Sequence, residues 1–251
     1  MSDHVVGIIQ ARCDSTRLKN KVLANIEGKP LIERIYSRVK QVELIDQVVI
    51  ATTNSAVDNV LTDWCIRKKI NVFRGSEQNV LERFYECAKL YSADIIVRIT
   101  ADDPFKDSII INHAVDLLIK NNYDYVSNTI KPTFPEGIDV EVFRFDSLKS
   151  AFQSARLDSE KEHVTPYIWK NIDKFSLYNF EHNKNISHLR WTIDYPEDLE
   201  FARAIYKKLQ VKNDMFYMQD VLSVLDEFPE LLDIQKKIIR NEGYLKSIEK
   251  E

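Results

Sequence analysis

Cations crowd the end of a short apolar run near the amino terminus. In "IIQARCDSTRLKNK" (8–21), Arg12, Arg17, Lys19 and Lys21 follow directly on Ile8 and Ile9. A buried strand that opens into a basic turn presents free backbone N–H groups and positive charge together, the combination that holds a polyphosphate. A solvated surface loop is the competing description, above all for Lys19. Neither G-x-x-x-x-G-K-[ST] nor G-x-G-x-x-G occurs, so the loop is not one of the common glycine-rich phosphate cradles. Two acidic motifs complement it: "TADDP" carries Asp102 and Asp103, and "RWTIDYPEDLE" carries Asp194. Mg²⁺ is commonly held by one or two carboxylates together with phosphate oxygens and water, so Asp102 and Asp194 are candidate metal ligands. Asp194 reads equally as a helix cap, because Tyr-Pro-Glu follows it.

Further polar groups fall in other turns. "ATTNS" supplies Thr52 and Asn54, and "RGSE" supplies Arg74 and Ser76. They are candidates for reading a base edge or a ribose, or else Asn54 and Ser76 cap helices. In "PEGIDVEVF", Asp139 and Glu141 are two residues apart and share one face of an expected strand. They line an acceptor pocket, bind a second metal ion, or face solvent. His163 in "EHVTPY" contacts acceptor or nucleotide, or packs. Arg190 pairs with an acidic acceptor or with Asp194.

These residues need a scaffold, and the hydrophobic pattern describes one. β-Branched runs at Val5–Ile9, Gln47–Ala51, Ile70–Phe73, Asp94–Thr100 and Tyr123–Val126 read as strands. Helical spacing separates them, over 30–39, within "TTNSAVDNVLTDWCIRKK", over 79–91 and over 109–120. Such alternation predicts a mainly parallel sheet covered by helices, a Rossmann-like α/β fold. Ligands of such sheets bind beyond the carboxyl ends of the strands, which sets the basic loop, "TTNS", "RGSE" and "TADDP" along one rim. After this come an expected half-exposed strand at Gly137–Phe145 and helices at 147–155 and 160–169. Strands at "KFSLYNF" and Leu189–Asp194 follow, then helices over 196–209 and 218–248. Trp64, Trp169 and Trp191 fall in apolar stretches and are assigned to the core. The expected organisation is one α/β domain over 1–212, with a substrate-binding or dimerisation region at about 128–190, and a helical tail over 213–251.

Composition bounds the function. The 251 residues carry Lys+Arg 35 against Asp+Glu 39, a net charge of -4, without the basic excess that nucleic-acid binding requires. The three cysteines form no C-x-x-C pair, which fits a reducing cytoplasm. No apolar run approaches the roughly 20 residues of a membrane span, and the first residues lack a signal peptide's pattern.

"IIQARCDSTRLKNKVL" and "IEGKPLIERI" together resemble the opening of the cytidylyltransferases that make CMP-Kdo and CMP-acylneuraminates, and more closely their spore coat polysaccharide biosynthesis relatives. The likeness continues through "RGSEQNVLERFYECA", "VRITADDPF", "FPEGIDVEVF", "EHVTPYI" and "RWTIDYPEDLEFARAIY". It implies a nucleotidyltransferase fold, CTP and a sugar-like acceptor as partners, Mg²⁺ as cofactor, and a homodimer. It also implies that the first loop, with Gln10, Ala11, Arg12, Ser15, Arg17 and Lys21, wraps the nucleotide. Arg12 and Lys21 are then catalytic contacts to the phosphates, and Asp102 and Asp194 the metal ligands. Two departures stand out: Lys19-Asn20 replaces Pro-Gly or Pro-Asn, and Asp14 replaces a small residue. A nucleotide-sugar glycosyltransferase and a non-catalytic homologue are the alternatives to a CMP transfer that releases pyrophosphate.

Overall fold

The computed structural model describes residues 3–15, 17–209 and 215–235. In chain order the elements are β1 (Val5–Gln10), β2 (Asn25–Ile26), β3 (Lys29–Pro30), α1 (Leu31–Val39), β4 (Gln47–Thr53), α2 (Asn59–Arg67), β5 (Asn71–Gly75), α3 (Val80–Leu90), β6 (Ile95–Thr100) and α4 (Ser108–Asn121). β7 (Tyr125–Ser127), β8 (Glu141–Arg144), α5 (Phe145–Ser154), α6 (Asp158–His163), α7 (Pro166–Lys170), β9 (Leu177–Asn179), α8 (Pro196–Leu209) and α9 (Met218–Glu227) complete the fold.

Seven strands form one sheet in the order β5-β4-β1-β6-β8-β7-β9, and β2 and β3 form a small separate hairpin. β5, β4, β1 and β6 run parallel, so their carboxyl ends share one edge. β8 enters antiparallel between β6 and β7. The α/β expectation therefore holds. β1 lies inside the sheet, between β4 and β6, with every residue from Val5 to Ile9 buried, which explains its unbroken apolar sequence. Alternate β1 side chains go to opposite faces: Val5 and Ile9 join a core with α1, α2, α4, α8 and α9, while Val6 and Ile8 join a core with α3, α5 and α7.

Four expectations are corrected. The run Gly137–Phe145 is a strand only over Glu141–Arg144, and it is not half-exposed, because Val142 packs into one core and Phe143 into the other. Leu189–Asp194 is extended but forms no strand. It touches Glu136 through a single bridge at Arg190, and its other backbone bonds go to a loop. The helix expected over 160–169 is two helices, parted by Val164 at φ 71 and restarted at Pro166. Pro166 has no N–H to continue the helix and its ring would clash with the preceding turn, so it starts a new helix instead. In the tail, the helix ends at Glu227 and a 3₁₀ segment spans Pro229–Gln235; the remainder lies outside the described residues. Trp64 and Trp191 are buried as expected, and Trp169 is partly buried against the second core.

The C-terminal helix belongs to the main core. Phe216, Met218, Val221, Val224 and Leu225 are buried there. The buried Arg38 of α1 donates to the carbonyls of Lys106 and Phe216 and stacks on the Phe216 ring, 3.7 Å from its centroid. Asp107 caps α4 with one carboxylate oxygen and takes the Met218 N–H at 2.7 Å with the other. Residues 104–107, just past β6, are thus gripped from α1 and from the start of α9. Among the described residues, no helix is long and apolar enough to cross a membrane.

Gly137 shows where backbone approach is closest. Its φ is +101, and a Cβ built there would sit 2.8 Å from the Trp191 carbonyl carbon. Only glycine accepts both conditions. Gly137→Ala should therefore lower stability by about 2 kcal/mol or more, combining left-handed strain with displacement of the Trp191 backbone. Urea denaturation checks this, and an unchanged midpoint would contradict it.

Candidate active site

β1 ends at Gln10, and the chain turns through Arg12 to Leu18 before a 3₁₀ turn at Lys21–Leu23. The turn closes on itself: the N–H groups of Ser15 and Asn20 both donate to the Cys13 carbonyl, at 2.9 and 3.1 Å. Asn20 is left-handed, φ 54 and ψ 26, a conformation asparagine accepts far better than most residues. The Lys19-Asn20 departure therefore retains the backbone shape that a glycine would allow. Asp14, the other departure, is exposed.

Asp58 anchors the loop from beneath. This buried carboxylate accepts the Cys13 N–H at 2.6 Å, and the Thr53 hydroxyl and N–H, joining the loop after β1 to the end of β4. Burial would raise its pKa, but the bonds from Thr53 and Cys13 outweigh that and lower it. Arg12 is exposed at the mouth of the loop. Behind it is Arg83 of α3, 2% exposed and donating to the Ser76 carbonyl at 2.5 Å. Burial first, then the charge of Arg12, pulls the Arg83 pKa down to about 10.

Across the rim, "TADDP" and "RWTIDYPEDLE" meet. The Ile193 N–H donates to the Asp102 carbonyl at 2.8 Å, so the two segments are joined backbone to backbone. Their carboxylates then converge on Lys21, whose Nζ lies 3.0 Å from Asp102 Oδ2 and 2.9 Å from Asp194 Oδ1. The Ile193 carbonyl is also 2.9 Å from Nζ. Asp194 further receives Arg17 at 2.6 Å and Arg190 at 3.3 Å. Its oxygens thus face cations rather than helix N–H groups. Asp198 instead takes the N–H groups of Asp194 and Tyr195 at the start of α8, at 2.8 and 2.9 Å. Burial pushes the Asp194 pKa up, yet Lys21 and Arg17 bring it below the usual aspartate value. The reciprocal holds for Lys21: burial pushes it down, and Asp102 with Asp194 raises it above 10.5.

Other candidates are occupied elsewhere. Arg74 donates to the Thr53 carbonyl, Asn59 Oδ1 and the Ser55 carbonyl, so it braces the turn between β4 and α2. Ser76 Oγ accepts the Asn79 N–H, and Asn79 caps α3, so the capping description fits that turn. Asn54 is exposed and gives its N–H to Gly75, while Thr52 is buried. Gln10 is half-buried, and its Oε1 has no hydrogen-bond partner among the described residues. Ala11 is buried and Ser15 half-buried in the loop.

The acceptor candidates separate. Glu141 is buried and faces Arg98, Tyr125 and Thr165, so it neither faces solvent nor projects with Asp139 from a shared strand face. Burial raises its pKa, but Arg98 and the two hydroxyls bring it below 4.5. Asp139 precedes the strand and gives its carbonyl to Lys106. His163 ends α6, half-buried, 3.9 Å from Glu162. Arg190 is buried among Glu136, Asp194 and Asp198, so the pairing with Asp194 that the sequence offered is present. Asp103, adjacent to Asp102, is tied to Thr100 and to Lys106 at 2.6 and 2.8 Å.

Comparison with known proteins decides the family. The family model described as cytidylyltransferase matches residues 6–238. The chain belongs to the cytidylyltransferase family. It is 32% identical to the spore coat polysaccharide biosynthesis protein SpsF of Bacillus subtilis, over 90% of this chain and 95% of that one. A solved cytidylyltransferase of Leptospira borgpetersenii superposes with a TM-score of 0.88 at 30% identity, covering 96% of this chain and all of that one, 100%. CMP:2-keto-3-deoxy-manno-octonic acid synthetase, solved with CTP, shares the fold with a TM-score of 0.62 at 17% identity, over 82% and 99% of the two chains. As a cytidylyltransferase the protein is an enzyme of nucleotidyl transfer, which sets aside the glycosyltransferase alternative.

Sequence reasoning missed Asp58, Arg83 and the Ile193 carbonyl. Asp58 and Arg83 each put a charge into an otherwise apolar helical register, a signal that was present; a backbone carbonyl leaves none. Glu141→Gln should flatten the acid limb of stability. A carboxylate with a lowered folded pKa stabilises fully above its ordinary 4.5 and loses that contribution as pH falls below it. Thermal midpoints from pH 7 downward test this: parent and variant should converge in acid, and parallel curves would contradict it.

Proposed function

We propose that this cytidylyltransferase uses CTP and Mg²⁺ to attach CMP to a hydroxyl of a sugar or sugar acid, releasing pyrophosphate, in the synthesis of a surface polysaccharide. The observation that carries the reading is the convergence of Asp102 and Asp194 on one point at the rim, beside a cationic loop. Mg²⁺ takes oxygen ligands at about 2.1 Å and keeps phosphate and water in its remaining positions, so two carboxylates suffice for the protein's share. When bound, the ion would draw electron density from the α-phosphate and shield its charge.

The chain's own residues would do the rest by positioning and by charge. Arg12, at the open mouth of the loop, offers a forked guanidinium to the departing pyrophosphate. Arg83 adds buried positive potential behind it. Asp58 fixes the loop, holding the backbone on which Arg12 depends. The acceptor oxygen would attack the α-phosphorus as the bridge to the β-phosphate breaks. The polysaccharide role is supported by the name of the Bacillus relative, and the sugar-acid acceptor by that of the synthetase sharing the fold.

Pyrophosphate release is the direct test. With Mg²⁺, CTP and a panel of sugars, sugar phosphates and 3-deoxy sugar acids, one acceptor should release pyrophosphate, with CTP preferred over GTP, UTP and ATP. Silence across the panel, or indifference to the base, would overturn the proposal. Asp102→Asn and Asp194→Asn should each lower kcat/KM at least ~100-fold while circular dichroism stays native. Arg12→Ala should weaken CTP binding more than CMP binding in calorimetric titration, and equal weakening would place Arg12 away from the terminal phosphates.

A further inference from the structure

Lys21 has no proton left to give. Its ammonium has three N–H donors, and three oxygens surround it: Asp102 Oδ2 at 3.0 Å, and Asp194 Oδ1 and the Ile193 carbonyl each at 2.9 Å. Two carboxylates and a carbonyl are also the hard oxygen set that a divalent cation selects. The side chain is only 12% exposed, so the contact is an interior one rather than a surface pairing. Lys21 cannot hold a phosphate while it holds these oxygens, and the oxygens cannot ligate an ion while they hold Lys21.

We infer that Lys21 is a resident counter-ion that occupies the divalent-cation position in the nucleotide-free enzyme, so that ion and ammonium exclude one another. The inference rests on the reading of Asp102 and Asp194 as metal ligands. Free enzyme then binds divalent ions weakly, and the triphosphate admits the ion by drawing the ammonium away. Arg17, 2.6 Å from Asp194 and 5.4 Å above the Tyr195 ring, is a second strap between the same loop and the same carboxylate. The closed loop is therefore held by the groups that the ion requires, and loop and ion are coupled through one pair of aspartates.

Mn²⁺ titration followed by electron paramagnetic resonance, without nucleotide, tests the exclusion. Lys21→Met should bind Mn²⁺ about 10-fold or more tightly than the parent, within the range of ordinary site-to-site coupling. Equal or weaker binding by a folded variant overturns the inference. Should the variant not fold, the ¹⁵N ammonium resonance of Lys21 in the parent serves instead. It should persist when Mg²⁺ is added alone and move when Mg²⁺ and CTP are added together; movement with Mg²⁺ alone overturns the idea. The underlying reading fails differently. If the tightening in Lys21→Met survives added Asp102→Asn, the ion is bound elsewhere and the metal assignment falls. If tightening is absent while the parent's pyrophosphate release needs Mg²⁺, only the exclusion falls.

Discussion

Two ionised carboxylates pressed together in a half-buried cleft repel unless positive charge lies between them, and the arrangement at this rim answers that constraint. Asp102 and Asp194 come from segments far apart in sequence, joined by the bond from the Ile193 N–H to the Asp102 carbonyl. That bond fixes their distance, and Lys21 makes the distance tolerable. Removing one partner of such a buried set leaves an uncompensated charge, an effect worth about 3–5 kcal/mol where it has been measured. The arrangement is thus strained toward accepting positive charge, whether from a lysine, an arginine or an ion.

A second ring of charges keeps the first in place. Arg190 lies buried among Glu136, Asp194 and Asp198, and Asp198 in turn takes the N–H groups that precede α8. Asp58 does the same for the loop after β1. Such groups decide where Asp194 and Arg12 stand. A metal or phosphate site on a parallel sheet depends on this kind of support as much as on its contacting side chains.

Much of the scaffold was legible because its signals are local. Val5–Ile9 is apolar throughout since β1 lies inside the sheet, and the alternation of strands with helices gave the sheet class directly. The basic loop and the two acidic motifs were found for the same reason, each being a contiguous run. What escaped depends on partners distant in sequence. Leu189–Asp194 has strand-like alternation, but its neighbours are loop carbonyls and N–H groups rather than a strand, which no periodicity records. Glu141 looked like half of a polar face because alternation does not tell that β8 is enclosed on both sides. The full partner sets of Arg74 and Arg190 left no local trace, because an arginine's many donors suit phosphate and backbone carbonyls alike. The break at Val164 had a visible cause in the proline two residues on.

The bond from the Met218 N–H to Asp107, with that from Arg38 to the Phe216 carbonyl, carries a consequence for biosynthesis. Chains emerge from the ribosome amino end first, and every strand of this sheet precedes α9 in the chain. The turn that carries Asp102 is followed directly by residues whose final grip arrives only with the start of α9. A nascent chain would therefore possess its sheet and its basic loop well before its acidic half of the site is steadied. Competence would wait for residues 216–218 to emerge and close that grip.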